Sequence, residues 1–322
     1  MKAIVQDRYG PPDVLRLDEI EMPSLTDDGV LVRVRAASVN AADWHFMRGE
    51  PLIARMAFGL RRPKQRVRGS EVAGTVEAVG KAVTRFRPGD EVFGSCRGSL
   101  AEYVCAAETH VVAKPTGLSF EQAAAVPLAG LTALQGLRDH GHVQPGQKVL
   151  INGASGAVGP FAVQIAKSFG AQVTGVCSSR NVDMVRSIGA DRVVDYTKED
   201  FTEGDDRYDV LVDIAGSRPW SRLRRVLRPD ATLVVIGGPS TNRLWGPVAH
   251  LVRVRLASFR DRRKVAVFVA STSHDDLVVL KEMLEAGKIT PVIDRTYPLS
   301  EAREAIRYLE TGHARGKVVI TV

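Results

Sequence analysis

The chain has 322 residues, of which 44% are hydrophobic and 25% are charged, and this usage is close to that of ordinary globular proteins. The length suggests two domains and is ample for a buried core. The ordinary composition argues against a disordered chain, a collagen and a coiled coil. The formal charge of +7, from 44 basic and 37 acidic residues, is too small for this length to identify a class of partner.

The cysteines and the apolar segments bear on where the protein works. Cys96, Cys105 and Cys177 are too few for a disulfide framework and form no CxxC pair. The N-terminal segment reaches Asp7 and Arg8 before an apolar stretch forms, and no apolar run approaches the ~18 residues of a membrane span. We therefore expect a soluble, cytoplasmic protein without a signal peptide or a membrane segment.

The first part of the chain, up to about residue 120, predicts a β domain. Short apolar or alternating runs occur at 30–39, 72–80, 90–95 and 101–107, and glycine and proline separate them. This pattern favours a compact, barrel-like domain. The segment 46–68 breaks the pattern and is predicted to be a long loop with a short helix.

The pattern changes near residue 120, where Ser119 and Gln122 have the spacing of a capping box. From residue 147 onwards, apolar strands alternate with helices of about ten residues, which is typical of a parallel sheet with right-handed crossovers. Two further helices are predicted after Ser273 and Ser300, and KVVITV ends the chain as a strand.

The strongest local signal is the segment QKVLINGASGAVGPFAVQIAKSFGAQVTGVC. Its glycines, Gly153, Gly156 and Gly159, have the spacing GxxGxxG rather than GxGxxG, but a strand, a turn, a helix and a second strand surround them in the order of a dinucleotide-binding unit. We expect the backbone of Gly156, Ala157 and Val158 to contact a pyrophosphate. The alternative is that the glycines serve only tight packing between strand and helix.

The end of the second strand of this unit indicates which dinucleotide binds. NAD sites usually carry an acid there, whereas NADP sites replace it with a cation for the 2′-phosphate. This chain has Ser178, Ser179 and Arg180 and no acid before Asp183, which predicts NADPH. Alternatively, Ser179 caps the next helix and Arg180 is a solvated charge, and both interpretations can hold together.

Motifs along essentially the whole chain resemble those of the medium-chain dehydrogenase/reductase superfamily. They read KAIVQDRYGPPDVL, VRVRAASVNAADW, GSEVAGTVEAVGKAVTRFRPGDEVFG, LAEYV, VPLAGLTAL, INGASGAVG and HARGKVVI. The resemblance implies an α/β protein with two domains. A GroES-like β-barrel domain covers 1–122 and is completed by 272–322, and a Rossmann NADPH-binding domain with a doubly wound parallel sheet covers 123–271.

Within the superfamily, the sequence resembles the zinc-independent branch of quinone oxidoreductases and enone reductases. Zinc alcohol dehydrogenases of this fold carry a cysteine where Asn40 stands and a histidine where Ser70 stands. Glu71 alone cannot hold a catalytic zinc, which needs about three protein ligands. The lobe with four clustered cysteines for structural zinc is also missing, so we expect no metal site.

The resemblance places Asn40 and Thr132 beside the nicotinamide as the leading catalytic residues. The alternative for Asn40 is a loop residue that satisfies local backbone groups. The loop residues Asp43, Trp44 and Met47 are expected to shape the substrate pocket. Trp44 would stack on a planar quinone there, or would instead pack in the core.

The remaining cofactor contacts also follow from the resemblance and from the position of the strand ends. They are Tyr196 on the adenine side, Gly237 and Gly238 at the carboxyl edge of the sheet, Phe268 and Val269 along the nicotinamide carboxamide, and Lys317 returning to the cleft from the C-terminal segment.

These features predict a reductase that transfers a hydride from NADPH to a quinone or an α,β-unsaturated carbonyl without zinc. The cofactor supplies the chemistry, and the protein supplies orientation and a hydrogen-bond donor for the developing negative charge. The alternatives are an idle NADPH-binding protein with a regulatory or stress role, and a zinc-type alcohol dehydrogenase by fold only.

Two expectations concern partners. The basic stretches 61–68 and 253–264 lack the aromatic pattern of nucleic-acid binders, so we interpret them as solvated surface and expect no nucleic acid. The segment 264–271 is a candidate edge strand, and an unpaired apolar edge invites partnering, so we expect a homodimer.

Overall fold

The computed structural model of the chain describes residues 1–238, 244, 246–259 and 261–322. The chain divides into two compact units, of which the first contains Met1–Leu131, Thr272–Gly287 and Pro291–Val322, and the second contains Thr132–Ser271 and Lys288–Thr290. The first division lies after the sequence-based boundary at 122, because the helix Pro127–Gln135 begins in the first unit and continues into the second.

Strands predominate in the chain up to residue 113, and the described strands and helices mostly alternate from residue 148 onwards. The strands are β1 Lys2–Val5, β2 Arg16–Glu19, β3 Gly29–Val39, β4 Glu71–Val79, β5 Glu91–Ser95, β6 Tyr103–Ala107, β7 Val111–Ala113, β8 Lys148–Asn152, β9 Gln172–Cys177, β10 Arg192–Asp195, β11 Tyr208–Asp213, β12 Leu227–Val235, β13 Lys264–Val267, β14 Ile293–Pro298 and β15 Lys317–Thr321. The helices are α1 Ala41–Arg48, α2 Arg55–Phe58, α3 Phe120–Ala124, α4 Pro127–Gln135, α5 Gly159–Ser168, α6 Val182–Ser187, α7 Trp220–Leu223, α8 Pro247–Ala257, α9 His274–Glu285 and α10 Ala302–Glu310.

The long strand β3 organises the first unit. The strand order is β14-β15-β3-β4-β5-β7, and β6 also pairs with β3. One edge of β3 pairs with β4 along most of its length. In addition, residues 29–33 of β3 pair with β6, and residues 36–39 pair with β15. Its middle alternates buried valines with partly exposed or exposed residues, as expected for a strand with one face on a core.

The register of these pairings brings distant segments together. Ser38 on β3 lies opposite Glu71, the first residue of β4. Val39 lies opposite Val318, so Lys317 at the start of β15 reaches the point where β3 ends and Asn40 begins the turn into α1.

The second unit contains a parallel sheet in the order β10-β9-β8-β11-β12-β13. With β8 counted as strand one, this order is 3-2-1-4-5-6, the doubly wound arrangement of dinucleotide-binding domains. Val149, Leu150 and Ile151 of β8 are fully buried, as expected for a strand covered on both faces. The order reverses at β8, and dinucleotides bind at the carboxyl ends of strands beside such a reversal.

The segment after β3 differs from the sequence-based prediction, which has one short helix within 46–68. Helix α1 already begins at Ala41, and α2 follows at Arg55. Helix α1 ends at Gly49, whose φ of 62° lies in the left-handed region that favours glycine. None of the described helices has the length and apolar character required to cross a membrane.

Candidate active site

The first group of candidate residues is a buried polar cluster, here called the Glu71 cluster. It consists of the side chains of Ser38, Asn40, Glu71 and Lys317 and the backbone N–H of Leu128, all in the first unit. Glu71 and Lys317 are 0% exposed and Asn40 is 5% exposed. A charged pair at this depth is stable only when its remaining hydrogen-bonding atoms are also satisfied.

The carboxylate of Glu71 is the centre of this cluster. Lys317 Nζ lies 2.6 Å from Glu71 Oε2, and the Nδ2 of Asn40 donates to the same oxygen at 2.5 Å. The hydroxyl of Ser38 also donates to Oε2. The other oxygen, Oε1, accepts from the N–H of Leu128 at 2.6 Å. Leu128 lies in the first turn of α4, where unpaired N–H groups and the helix dipole favour a negative charge.

Lys317 and Asn40 are joined directly within this cluster. Lys317 Nζ donates to Asn40 Oδ1 at 2.6 Å, so the ammonium bridges the amide oxygen and the carboxylate. The sequence-based prediction that Lys317 binds the cofactor is not supported by this position, because the ammonium is enclosed by protein and bonded to two buried groups. Lys317 instead supplies the positive charge that balances Glu71.

Asp43 lies beside the Glu71 cluster at the third position of α1. Its Oδ2 accepts the backbone N–H of Asn40 at 2.7 Å, which satisfies a donor at the start of the helix. Burial raises the pKa of the Asp43 carboxyl to about 6, and the nearby charge of Glu71 adds to this shift. The Asn40 N–H, Lys317 and Arg68 act in the opposite direction. Asp43 therefore caps a helix, whereas the sequence analysis expects it in the substrate pocket.

Arg68 is only 7% exposed. The prediction that the basic stretch 61–68 is solvated surface is therefore wrong for this residue. Burial lowers the pKa of its guanidinium, and the charges of Asp43 and Tyr9 oppose that shift. The buried polar region around α1 thus contains a second cation besides Lys317.

The titration of Asp43 predicts a pH dependence of stability. Between the ordinary carboxyl pKa of 3.8 and about 6, the folded protein binds more protons at Asp43 than the unfolded chain does, so this group's contribution to stability falls as the pH rises through that window. In Asp43→Asn this loss disappears. We expect the free energy of unfolding of the variant, relative to wild type, to rise by up to about 3 kcal/mol between pH 4 and pH 7.

Denaturant unfolding at several pH values measures this difference. The same change at the exposed Asp13, Asp13→Asn, is the control. A difference between Asp43→Asn and wild type that stays constant from pH 4 to pH 7 would show that Asp43 does not titrate in this window.

The other two residues predicted for the substrate pocket pack inward. Met47 is 0% exposed and belongs to the hydrophobic core of the first unit, so its role is packing rather than lining a pocket. Trp44 is partly buried against the same core, and its ring stacks on His45 with a centroid separation of 3.6 Å. These contacts support the alternative that Trp44 packs in the core. Its stacking on a quinone stays a prediction.

The second group of candidate residues surrounds the glycine-rich turn between β8 and α5. Gly153 has a φ of 94°, which a residue with a side chain rarely adopts. A Cβ on Gly159 would lie 2.2 Å from the carbonyl oxygen of Gly153, so this glycine is needed for packing. A Cβ on Gly156 would meet nothing closer than 3.8 Å. Gly159 is therefore a packing glycine, whereas Gly156 borders open space and its contact with a pyrophosphate stays a prediction.

The residues at the end of β9 hold a network of short polar side chains. The hydroxyl of Ser179 donates to Asp195 Oδ2 at 2.5 Å, and this bond, with those from Thr197, lowers the pKa of Asp195 to about 2. Asn181 donates to Ser155 in the glycine-rich turn at 3.0 Å and to Ser178 at 3.2 Å. These contacts fix the turn against the end of β9. Arg180 is exposed, as a residue that reaches a 2′-phosphate would be.

The remaining predicted residues occupy varied positions in the second unit. Tyr196 follows β10 and is 53% exposed, whereas Thr132 in α4 is only 8% exposed. Gly237 lies so close to the end of β11 that a Cβ would be 2.1 Å from the carbonyl oxygen of Ile214. A Cβ on Gly216 would lie 2.4 Å from the Cα of Gly238. Phe268 stacks on His140, and Val269 is 91% exposed. Their contacts with a cofactor stay predictions.

Several residues of these networks were missed by sequence reasoning. They are Ser38, the backbone of Leu128, Asn181, Asp195 and the buried Arg68. A usable signal existed for the pair at the centre of the cluster, because Glu71 and Lys317 are each the first residue of a largely apolar strand, EVAGTVEAV and KVVIT. A buried acid requires a counter-charge, and the buried lysine provides it.

The chemistry of these donors bears on whether a metal fits. Among the described residues, no group of three or more His, Cys, Asp and Glu side chains lies close enough together to hold a metal ion. Around Glu71 the neighbours are a serine, an amide and an ammonium, and the ammonium already balances the carboxylate. A catalytic zinc does not fit this set.

The second unit has a doubly wound parallel sheet with a glycine-rich turn at the strand where the order reverses. The β unit before it contains the buried Glu71 cluster. Together these features define a two-domain protein of the dehydrogenase type. Family models agree, since an alcohol dehydrogenase GroES-like domain matches residues 26–116 and a zinc-binding dehydrogenase domain matches residues 188–320.

Similar proteins identify the family. Over 335 residues, the chain is 36% identical to 2-methylene-furan-3-one reductase from Solanum lycopersicum and 34% identical to the chloroplastic NADPH-dependent alkenal/one oxidoreductase of Arabidopsis thaliana, covering 99% of this chain and 79% of each relative. The quinone oxidoreductase structure from Coxiella burnetii matches with a TM-score of 0.87 and 32% identity, covering 100% of this chain and 99% of that one. The chain belongs to the medium-chain dehydrogenase/reductase superfamily. The predictions of this family, of its α/β fold and of an oxidoreductase are confirmed.

Proposed function

We propose that this chain is an NADPH-dependent reductase that transfers a hydride to a quinone or an α,β-unsaturated carbonyl without a catalytic zinc. The observation that carries the proposal is the Glu71 cluster, in which the Lys317 ammonium balances the carboxylate at 2.6 Å. The residues that the structure describes contain no set of metal ligands. Without a metal to polarise an alcohol, the favourable substrate is one that is already electrophilic. The similarity to an alkenal/one oxidoreductase and to a quinone oxidoreductase supports the same substrate classes.

The bound cofactor would supply the hydride, and the residues of the chain would bind and orient it. The open space beside Gly156 fits a pyrophosphate that is held by backbone N–H groups at the start of α5. Ser178 and Arg180 are proposed to bind the 2′-phosphate, and the exposed ring of Tyr196 is proposed to flank the adenine. The name of the Arabidopsis relative, which is NADPH-dependent, supports this choice of dinucleotide.

Turnover tests the reaction and the cofactor together. We expect loss of NADPH absorbance with quinones or enones as acceptors, unchanged by a chelator. Arg180→Ala should raise the KM for NADPH by about 10–100-fold, because it removes a charge-assisted contact worth about 1.5–3 kcal/mol, and should leave the KM for NADH unchanged.

Arg186→Ala, an exposed arginine of α6, is the control for this substitution. Wild-type turnover that prefers NADH would contradict the proposed role of Arg180. Stoichiometric zinc together with inhibition by a chelator would favour the zinc-type alternative. Binding of NADPH without turnover on any acceptor would favour the idle, regulatory alternative.

We also propose that the protein is a cytoplasmic homodimer, joined through the β13 edge of the second unit. β13 ends the parallel sheet, and a cavity of about 530 Å³ lies between it and α8. Apolar side chains remain exposed around it, with Leu256 at 69% and Val267 at 38%. A second copy that pairs with this edge would cover both the strand and these side chains.

Sedimentation at micromolar protein tests the dimer. Wild type is expected to have a dimeric mass, and Leu256→Lys should weaken association by about tenfold or more, since it places a charge among buried apolar groups. Leu17→Lys, at an exposed leucine of β2, is the control. A monomeric wild type would refute the proposal.

A further inference from the structure

The orientation of the Asn40 amide is fixed by two charged neighbours. Its Oδ1 accepts from Lys317 Nζ at 2.6 Å, and its Nδ2 donates to Glu71 Oε2 at 2.5 Å. An ammonium has only donors, and a carboxylate has only acceptors. A flipped amide would place its NH₂ group against the ammonium and its oxygen against the carboxylate. The flip that usually makes an asparagine ambiguous is therefore excluded here.

This orientation decides what Asn40 can offer to a ligand. The amide oxygen is used by Lys317, and one N–H is used by Glu71. One N–H of Nδ2 is left, and among the described residues none accepts it. Asn40 therefore has a hydrogen-bond donor to offer to a ligand, while its amide oxygen faces the Lys317 ammonium.

We propose that the Lys317–Glu71 pair is an orientation lock that commits Asn40 to donate a hydrogen bond to the carbonyl oxygen of the substrate. This inference rests on the proposed function, in which negative charge develops on that oxygen as the hydride is added. A fixed donor at the position of the developing charge stabilises the transition state. Lys317 and Glu71 then act through Asn40 and are positioning residues.

The construction of the cluster explains why the lock is rigid. Glu71 receives donors from three other segments, since Ser38 lies on β3, Leu128 begins α4 and Lys317 begins β15. The carboxylate therefore cannot rotate without breaking several buried hydrogen bonds, each of which is costly to lose. Lys317 is held in turn by its backbone N–H, which donates to Val292 O at 2.8 Å.

A mutant cycle tests the lock through catalysis. The variants are Asn40→Ala, the double variant Glu71→Gln with Lys317→Met, and the triple variant that combines them. The double variant removes both charges, so Asn40 is free to pair with Gln in either orientation. We expect Asn40→Ala and the double variant each to lower kcat with an enone by about 10²-fold, with the KM for NADPH unchanged. The triple variant should be no slower than the slower of the two.

Lys114→Met is the matched control. Lys114 is another lysine of the first unit, its side chain is only 6% exposed, and its Nζ pairs with Glu91 at 3.0 Å. It should retain the wild-type kcat. Losses that multiply in the triple variant, or a double variant with wild-type kcat, would overturn the lock. A wild type without turnover on any quinone or enone would instead contradict the proposed function.

A second measurement needs neither cofactor nor turnover. The side-chain amide of Asn40, assigned by the NMR signals that disappear in Asn40→Ala, should give a single pair of ¹H–¹⁵N resonances in the wild type. In the double variant, which lacks both charges, a second pair or exchange broadening should appear. A single, sharp pair in the folded double variant would show that the charges do not fix the amide.

Discussion

Gly159→Ala is expected to destabilise the second unit and to abolish tight binding of NADPH. The added Cβ would lie 2.2 Å from the carbonyl oxygen of Gly153 and 2.5 Å from the carbonyl carbon of Ala154. These are backbone atoms of the glycine-rich turn, so the turn itself has to shift. Overpacking of this kind costs about 3 kcal/mol, and a displaced turn no longer directs its N–H groups at a pyrophosphate.

Gly156→Ala separates binding from folding. Its Cβ would be no closer than 3.8 Å to another residue, so the free energy of unfolding without cofactor should stay at the wild-type value. The methyl group nevertheless enters the space proposed for the pyrophosphate and should raise the Kd for NADPH by about tenfold or more. Thermal unfolding of the apo-protein and fluorescence titration with NADPH give the two quantities. A Gly156→Ala variant with wild-type affinity would show that the pyrophosphate lies elsewhere.

The architecture could be predicted from the sequence because its signals are local. The apolar runs within β8, β11 and β12 are enough to indicate a parallel sheet. Ser119 and Ser273 do accept hydrogen bonds at the starts of α3 and α9, as their spacing predicts. Short-range patterns of this kind depend on neighbours within a few residues, which a single sequence contains.

The candidate site could be predicted only in part because its contacts are long-range. Asn40 and Lys317 were identified as individual residues, but their bond crosses 277 positions and depends on the register of β3 against β15. No pattern of hydrophobicity specifies which polar side chains that register brings together. The prediction that Met47 lines the substrate pocket was wrong for a related reason. Tertiary packing decides which face of α1 enters the core, and Met47 lies on that face. The segment 240–262 lies partly outside the described residues.

Glu71→Gln is expected to lower the free energy of unfolding by about 3–5 kcal/mol, the usual cost of removing one partner from a buried ion pair. The variant leaves the Lys317 ammonium at 0% exposure without an anion. Whichever way the new amide turns, its NH₂ group also faces a donor, namely Leu128 N–H on one side or Asn40 Nδ2 and the ammonium on the other. Unfolding in urea measures the loss.

Adding Lys317→Met to Glu71→Gln should recover most of that stability. Methionine fills a volume similar to that of the lysine stem without a charge, and replacing a whole buried pair by neutral groups is often neutral or stabilising. The pair of Lys114 and Glu91 is the control, because the Glu91 side chain is 51% exposed, and Glu91→Gln should cost no more than about 1 kcal/mol. Equal losses in the single and double variants would show that charge balance does not govern this core. If the stability returns while kcat stays low, the charges serve the orientation of Asn40 rather than the fold, because a purely structural pair would restore both together.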